Sequence, residues 1–276
     1  MAESVEENVA IVTGGGSGIG EALCRELARR GARVVAADIN GGDADQVATA
    51  IVKDGGLATA SRVDVSREMD VSRLVEETAA AFGRLDYLFN NAGMAIGGDA
   101  RDLTLDQWRQ VLDVDLYGVL HGTLAAYPIM ARQGFGHIVN TSSLAGFLPD
   151  PLNAPYCTAK HAVVGLSHSL RLEGADLGVK ISVVCPGVVR TNIFDNMVVI
   201  NAPKDQVLRP PAKMIEASQA AQAILAGVAR NQATIVFPAS VRWVLPYRLL
   251  PCVVERYYYL PRIRDLRKHR TAATAR

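Results

Sequence analysis

Short apolar runs alternate along the chain with longer stretches in which apolar positions recur every three or four residues. The first run is Val9-Ala10-Ile11-Val12-Thr13, and it stops at Gly14-Gly15-Gly16-Ser17-Gly18-Ile19-Gly20. From Glu21 the pattern turns helical, with Leu23, Leu27 and Ala28 on one face and Gly31 placed as the glycine just past the end. A second strand-like run, Ala32 to Ala37, ends at Asp38. Asp45 to Lys53 predicts a helix, and Leu57 to Val63 a strand ending at Asp64-Val65. Ser66 is the expected N-cap of a helix through Phe82. Leu85 to Phe89 predicts another strand, followed by Asn90-Asn91-Ala92-Gly93. A long helix is expected from about Thr104 to Gln133, with interruptions near Gly98–Asp102 before it and near Pro128 within it. A strand carrying Ile138, a helix from about Tyr156 through Leu172, and a strand over Lys180–Cys185 complete the series. Strands alternating with helices predict an α/β fold, a doubly wound parallel sheet in three layers. No linker or internal repeat interrupts residues 1–240, so one domain is expected there.

Composition changes little in that picture. Of 276 residues, 49% are hydrophobic and 21% charged, which suits a well-cored protein without staples. A formal net charge of +1 gives no case for a nucleic-acid partner. Cys24, Cys157, Cys185 and Cys252 are scattered, without the pairwise spacing of a zinc or dithiol site, and fit a reducing cytoplasm. The acidic N-terminus does not read as a signal peptide, and no window offers 18 uninterrupted apolar residues. A cytoplasmic protein is expected.

The chemistry is concentrated where the apolar runs stop. Strand, glycine loop and helix in that order form an opening suited to phosphate, because glycines let the backbone turn and a helix N-terminus presents free N–H groups. The spacing is Thr13-Gly14-x-x-x-Gly18-x-Gly20, which is neither a P-loop nor the Gly-x-Gly-x-x-Gly of long dehydrogenases. Asp38 follows the last glycine by 18 residues. It either accepts the hydroxyls of an adenosine ribose, repelling a 2′-phosphate, or simply caps a turn before Asn40-Gly41-Gly42. Neither Ser17 nor Ile39 is basic, so NAD is favoured over NADP. In Pro155-Tyr156-Cys157-Thr158-Ala159-Lys160 the four-residue step puts a phenol and an ammonium on one helix face, about 5–6 Å apart at Cβ. The cation favours the phenolate and makes an acid–base group; the same pattern also occurs on solvated helix faces. Ser143 lies just upstream, at the end of a strand.

Together these pieces resemble the short-chain dehydrogenase/reductase family. The resemblance rests on the glycine loop, Asn90-Asn91-Ala92-Gly93, Ser143, Tyr156-x-x-x-Lys160, and Pro186-Gly187 followed by Thr191, over about residues 8 to 240. It implies a Rossmann-type fold, a homo-oligomer (tetramer, or dimer) and NAD(P)-dependent interconversion of an alcohol and a ketone. It also implies Tyr156 as acid–base residue, Lys160 as the group that lowers its pKa and binds the nicotinamide ribose, and Ser143 as holder of the substrate oxygen. Gly14, Ser17 and Ile19 would line the pyrophosphate, Asp38 the adenosine ribose, and Asp64 and Val65 the adenine. Asn91 would lie near the nicotinamide ribose, with Val189 and Thr191 near its carboxamide. One position departs: Val114-Asp115-Leu116-Tyr117-Gly118 carries an aspartate where the family usually has an asparagine. That asparagine helps hold a water on the proton route from Lys160, so Asp115 is expected to keep the backbone carbonyl but change that route.

Residues 191–214 are irregular and apolar, including Ile193, Phe194, Met197, Val198, Val199 and Ile200. In this family the stretch is a substrate lid, and its apolarity suggests a hydrophobic alcohol or ketone, lipid, terpenoid or steroid; packing on the domain is the plainer reading. Residues 241–276 form a basic and aromatic extension of net charge near +7, which leaves about −6 on the rest. It reads as an arm across a neighbouring subunit, a peripheral membrane contact or a cover over the substrate site. A serine hydrolase is disfavoured because Ser143 lacks the Gly-x-Ser-x-Gly context. A non-catalytic NAD-binding redox sensor is the remaining alternative, and it would have no need of a proton donor.

Overall fold

The central strands form where the apolar runs are continuous, because there both faces of the sheet are covered and neither admits a polar alternation. The edge strand Leu57–Arg62 alternates and is partly exposed. β1 (Val9–Thr13) is buried at every position. β2 (Arg33–Asp38) pairs with it on one side and β4 (Tyr87–Asn90) on the other, both in parallel. With β3 (Leu57–Arg62), β6 (Gly136–Thr141), β7 (Val179–Pro186) and β11 (Thr234–Phe237), they make a seven-stranded sheet of order β11-β7-β6-β4-β1-β2-β3. Each pairing in it is parallel. The structure, a computed structural model, describes residues 7–204, 214–238 and 255–268.

Helices cover both faces. On one, α1 (Gly18–Arg29) and α2 (Gly41–Lys53) supply Leu23, Leu27, Val47 and Ile51 to a core shared with Ile224 and Leu225. On the other, α3 (Glu68–Phe82), α5 (Gly118–Gln133) and α6 (Ala154–Glu173) pack over Ile11, Leu88 and Ile138. The three-layer, doubly wound α/β reading holds, with the strand order reversing between β1 and β4.

Three local expectations are corrected. α2 begins at Gly41 rather than Asp45, because the Asn40 side chain accepts from the Gly42 amide and caps the turn. Arg67, not Ser66, is the N-cap of α3; Ser66 instead donates its amide and hydroxyl to Asp64 Oδ1 at 3.0 and 2.7 Å. The long helix breaks not at Pro128 but at a five-residue π turn, Asp113–Tyr117, between α4 (Leu105–Leu112) and α5. Thr104 opens α4 with a capping box to Gln107, as the expected boundary there requires. Pro128 sits within α5, where the carbonyl it leaves without an N–H belongs to Leu124, exposed to 64% and thus open to water.

In the expected lid region, α7 (Ile193–Asn196) leads into β9 (Val198–Val199), which pairs with β5 (Ile96–Gly97). Met197 is buried, while Val198 is half exposed, so this stretch both packs and presents apolar surface. β8 (Val189–Arg190) pairs with β10 (Ile215–Glu216), which feeds α8 (Ala217–Ala229). Of the C-terminal extension, a π turn over Glu255–Tyr259 and a helix over Leu260–Lys268 are described. Tyr259, Leu260 and Ile263 border a cavity of about 240 Å³ with Pro149 and Pro151 of the β6–α6 loop. The rest of the extension and residues 205–213 of the expected lid lie outside the described residues, as does Cys252. Among the described residues no helix is long and apolar enough to cross a membrane.

Candidate active site

The parallel topology gathers the predicted residues at one edge of the sheet. Gly14, Ser17 and Ile19 follow β1, Asp38 ends β2, Asp64 and Val65 follow β3, and Asn91 follows β4. Ser143 follows β6, Tyr156 and Lys160 occupy the first two turns of α6, and Val189 and Thr191 come after β7. Asp115 reaches the same edge from the π turn. This is the carboxyl edge, where open α/β sheets bind their ligands.

The glycine loop is shaped by close approach. Gly14 has φ +65°, and a Cβ there would lie 2.9 Å from Ala92 Cα. A Cβ at Gly20 would collide with the Gly14 carbonyl, so the first turn of α1 can lie against the loop only as glycine. The Ser17 side chain makes no cap bond, leaving the first N–H groups of α1 to a ligand. Thr191 packs its side chain about Gly18, which brings the end of β8 beside the glycine loop. Asp38 caps the turn as the plainer reading expects, and its carboxylate also reaches the glycine loop. Its Oδ1 accepts from the Asn40 amide at 3.0 Å, capping the turn, and its Oδ2 accepts from the Gly16 amide at 3.0 Å, locking the loop to β2. These donors, glycines and carboxylate fit the pyrophosphate and ribose of a dinucleotide. Beyond them a cavity of about 620 Å³ is lined by Ile39, Arg62, Asp64 and Met69 among others. Val65 faces the core instead, its side chain close to Gly118 and its carbonyl accepting from His121 Nδ1 at 2.9 Å.

Thr13 was legible only as part of the glycine motif. Its buried hydroxyl accepts from the Asn91 and Ala92 amides at 3.0 and 3.2 Å, while Asn91 Nδ2 donates to the Thr13 carbonyl at 3.1 Å. One threonine thus ties the β4 loop to the glycine loop across the reversal in strand order.

At the other end of the cleft, Lys160 is 2% exposed and Asp115 is fully buried. Lys160 Nζ lies 3.0 Å from Asp115 Oδ2, donates to the Thr141 carbonyl at 3.1 Å, and sits 5.3 Å from the centre of the Tyr156 ring. Asp115 Oδ1 accepts from the Met94 amide at 2.8 Å. The backbone partners Thr141 and Met94 carry no sequence signal, since any residue supplies those groups. Ser143 Oγ accepts from the Ala145 amide at 3.2 Å and lies close enough to the Tyr156 phenol to favour its ionisation.

Electrostatics modify one expectation. Burial pushes the Tyr156 phenol up from its ordinary value; Lys160 pulls it down, Asp115 pushes it up again, and the Ser143 side chain pulls it down. The lysine acts in the expected direction but does not prevail in the protein alone. Burial pushes Asp115 up as well, against the pull of Lys160. Burial acts to lower Lys160, but the carboxylate of Asp115 and the phenol outweigh it and leave the ammonium raised. His161 and His168, both exposed, serve helix neighbours and an edge strand: His161 Nδ1 contacts the Cys157 carbonyl at 2.9 Å, and His168 Nε2 contacts Thr234 Oγ1 at 2.8 Å.

A family model described as short chain dehydrogenase matches residues 8–199. The chain belongs to the short-chain dehydrogenase family. It is 39% identical over 188 residues to the meso-2,3-butanediol dehydrogenase of Serratia marcescens, covering 68% of this chain and 74% of that one. To the cyclohexanol dehydrogenase of an Acinetobacter species it is 37% identical over 196 residues, covering 70% and 78%. A short-chain dehydrogenase/reductase of Burkholderia phymatum, crystallised in complex with NAD, superposes with a TM-score of 0.78 at 27% identity, covering 99% of both chains. This short-chain dehydrogenase is accordingly an oxidoreductase acting on CH–OH groups.

Proposed function

We propose that the protein interconverts a secondary alcohol and a ketone with NAD(H) as the hydride partner, Ser143, Tyr156 and Lys160 forming the reaction centre. The observation that carries the reading is the convergence of Tyr156, Lys160 and the Ser143 hydroxyl at the sheet edge that also bears the glycine loop and Asp38. The nicotinamide cofactor, when bound, accepts or supplies the hydride at the carbinol carbon. Ser143 Oγ–H donates to the substrate oxygen and orients it. Tyr156 Oη takes the hydroxyl proton during oxidation and returns one during reduction. Lys160 holds its ammonium beside the phenol through Thr141 and Asp115, stabilising the phenolate that oxidation requires.

Asp38 supports NAD over NADP, because its carboxylate is fixed on the glycine loop where a 2′-phosphate would meet it. Of the arginines lining the neighbouring cavity, Arg62 Nε donates to the Ile39 carbonyl, and Arg73 pairs with Asp70 at 3.2 Å. The roles of Gly14, Ser17, Ile19, Asp64, Val65, Asn91, Val189 and Thr191 around the cofactor belong to the same proposal, Val65 acting through its backbone. The apolar Ile193, Phe194 and Val198 support a hydrophobic substrate, and Tyr259 and Ile263 beside the β6–α6 loop support the extension as a cover over it. A homo-oligomer and a cytoplasmic location complete the reading. Steady-state rates with NAD and NADP test it: wild type should prefer NAD by at least about tenfold, and Asp38→Ala should narrow that ratio. An NADP preference in wild type contradicts the cofactor assignment.

A further inference from the structure

We infer that Asp115 is a positioning residue: it ties Lys160 into a buried, net-neutral ion pair and so moves the proton transfer of Tyr156 to higher pH. The inference rests on the reading of Tyr156 as the acid–base group and adds to it what governs the working pH. An ammonium has three donors. In Lys160 one goes to the Thr141 carbonyl and one faces Asp115 Oδ2, so the third is left for the phenol and ligand side. The carboxylate is itself fixed, through Oδ1, by the Met94 amide. The π turn supplies this geometry, since its extra residue per turn carries Asp115 inward to complete burial.

In a site this dry, the field of a lone ammonium on a neighbouring phenol is strong, and a carboxylate 3.0 Å from that ammonium cancels much of it. Among the described residues, the other charged or titratable groups facing the pair and the phenol are few. The β6–α6 loop offers Asp150, which also disfavours the phenolate, and β7 offers the Cys185 thiol, which burial pushes up to about 12. α4 presents an exposed Asp106–Arg109 pair, and the π turn an exposed Asp113. On α6 itself, Cys157 is pushed up by burial, His161, His168 and Glu173 are exposed, and Arg171 is bound to Ile181 and Asn231. None supplies a second cation to replace the one that Asp115 neutralises. Asp115 thereby adds to burial in favouring the protonated phenol, the form that donates to a ketone, and moves oxidation toward higher pH. The overall equilibrium is untouched; only the pH range of each direction changes.

The first readout of the test needs neither substrate nor cofactor. The ultraviolet phenolate band of the folded protein is titrated, with the matching Tyr156→Phe protein subtracted, for wild type, Asp115→Asn and Asp115→Glu. Asparagine is the usual family residue at this position, so Asp115→Asn has a shape the site accommodates. At any pH below the midpoint, Asp115→Asn should carry about 3–10-fold more Tyr156 phenolate than wild type, and Asp115→Glu should stay near wild type. Alcohol oxidation at pH 6, relative to its alkaline plateau, should rise by the same factor in Asp115→Asn. Equal ionisation in wild type and Asp115→Asn overturns the inference, as does loss of turnover in Asp115→Asn with an unmoved titration. Full turnover in Tyr156→Phe would instead contradict the underlying reading and leave the titration readable.

Discussion

The Nε2–H of His137 points to the Ser182 hydroxyl at 2.8 Å, and that hydroxyl donates onward to the Gln232 carbonyl at 2.5 Å. Ser182 can then only accept from the imidazole, which fixes the neutral, Nε2-protonated tautomer. Burial, with Lys180 and Arg171 nearby, pushes His137 down to about 3. The unfolded chain binds this proton below about pH 6.5 while the native one does not, so stability rises with pH from about 3 to 6.5 and is lost as pH falls through that window. His137→Gln, which can still donate to Ser182, should flatten the acid side of a urea-midpoint profile between about pH 6.5 and 4. An unchanged acid slope would assign the effect to other groups. At the same scale, Cys24 and Cys185 are buried thiols raised by burial and should resist a thiol reagent in the native state, while half-buried Cys157 should react ahead of both.

The glycine loop and the π turn are the elements on which the site depends. Gly20→Ala would drive a methyl into the Gly14 carbonyl and toward Asn91 Nδ2, so the loop must open. The expected result is at least about a tenfold loss of NAD affinity, read by quenching of bound NADH, with a smaller change in thermal midpoint. Retained affinity would show that the loop does not cradle the cofactor. This loop was fully legible in the sequence, because glycine spacing is a backbone requirement written in residue types. So were Asp38, the strand order of events along the chain, and the one-face pairing of Tyr156 with Lys160. The π turn was not: Asp113–Tyr117 has an ordinary helical composition, and Pro128, the conventional breaker, lies where solvent meets the carbonyl it leaves bare. The Asp115–Lys160 ion pair could not be read either, since 45 residues separate its partners and the anchors Thr141 and Met94 act through backbone groups.

Over the whole molecule, the proposed reaction centre and the proposed cofactor cradle are joined by the reversal of strand order between β1 and β4, bridged by Thr13. Away from the sheet edge, the core that α8 shares with α1 bears on function through stability. Ile224→Ala in α8, fully buried, should cost about 2–5 kcal/mol in urea unfolding while leaving the NAD preference intact. The central claim concerns Tyr156 acting on an alcohol with NAD, and the most direct measurement is NAD reduction by wild type and Tyr156→Phe over a panel of secondary alcohols that includes cyclohexanol. The account predicts turnover in wild type and a loss of about 10²–10⁴-fold in Tyr156→Phe, with NADH binding unchanged. Equal turnover in the two proteins, or loss of NADH binding together with activity, would contradict it.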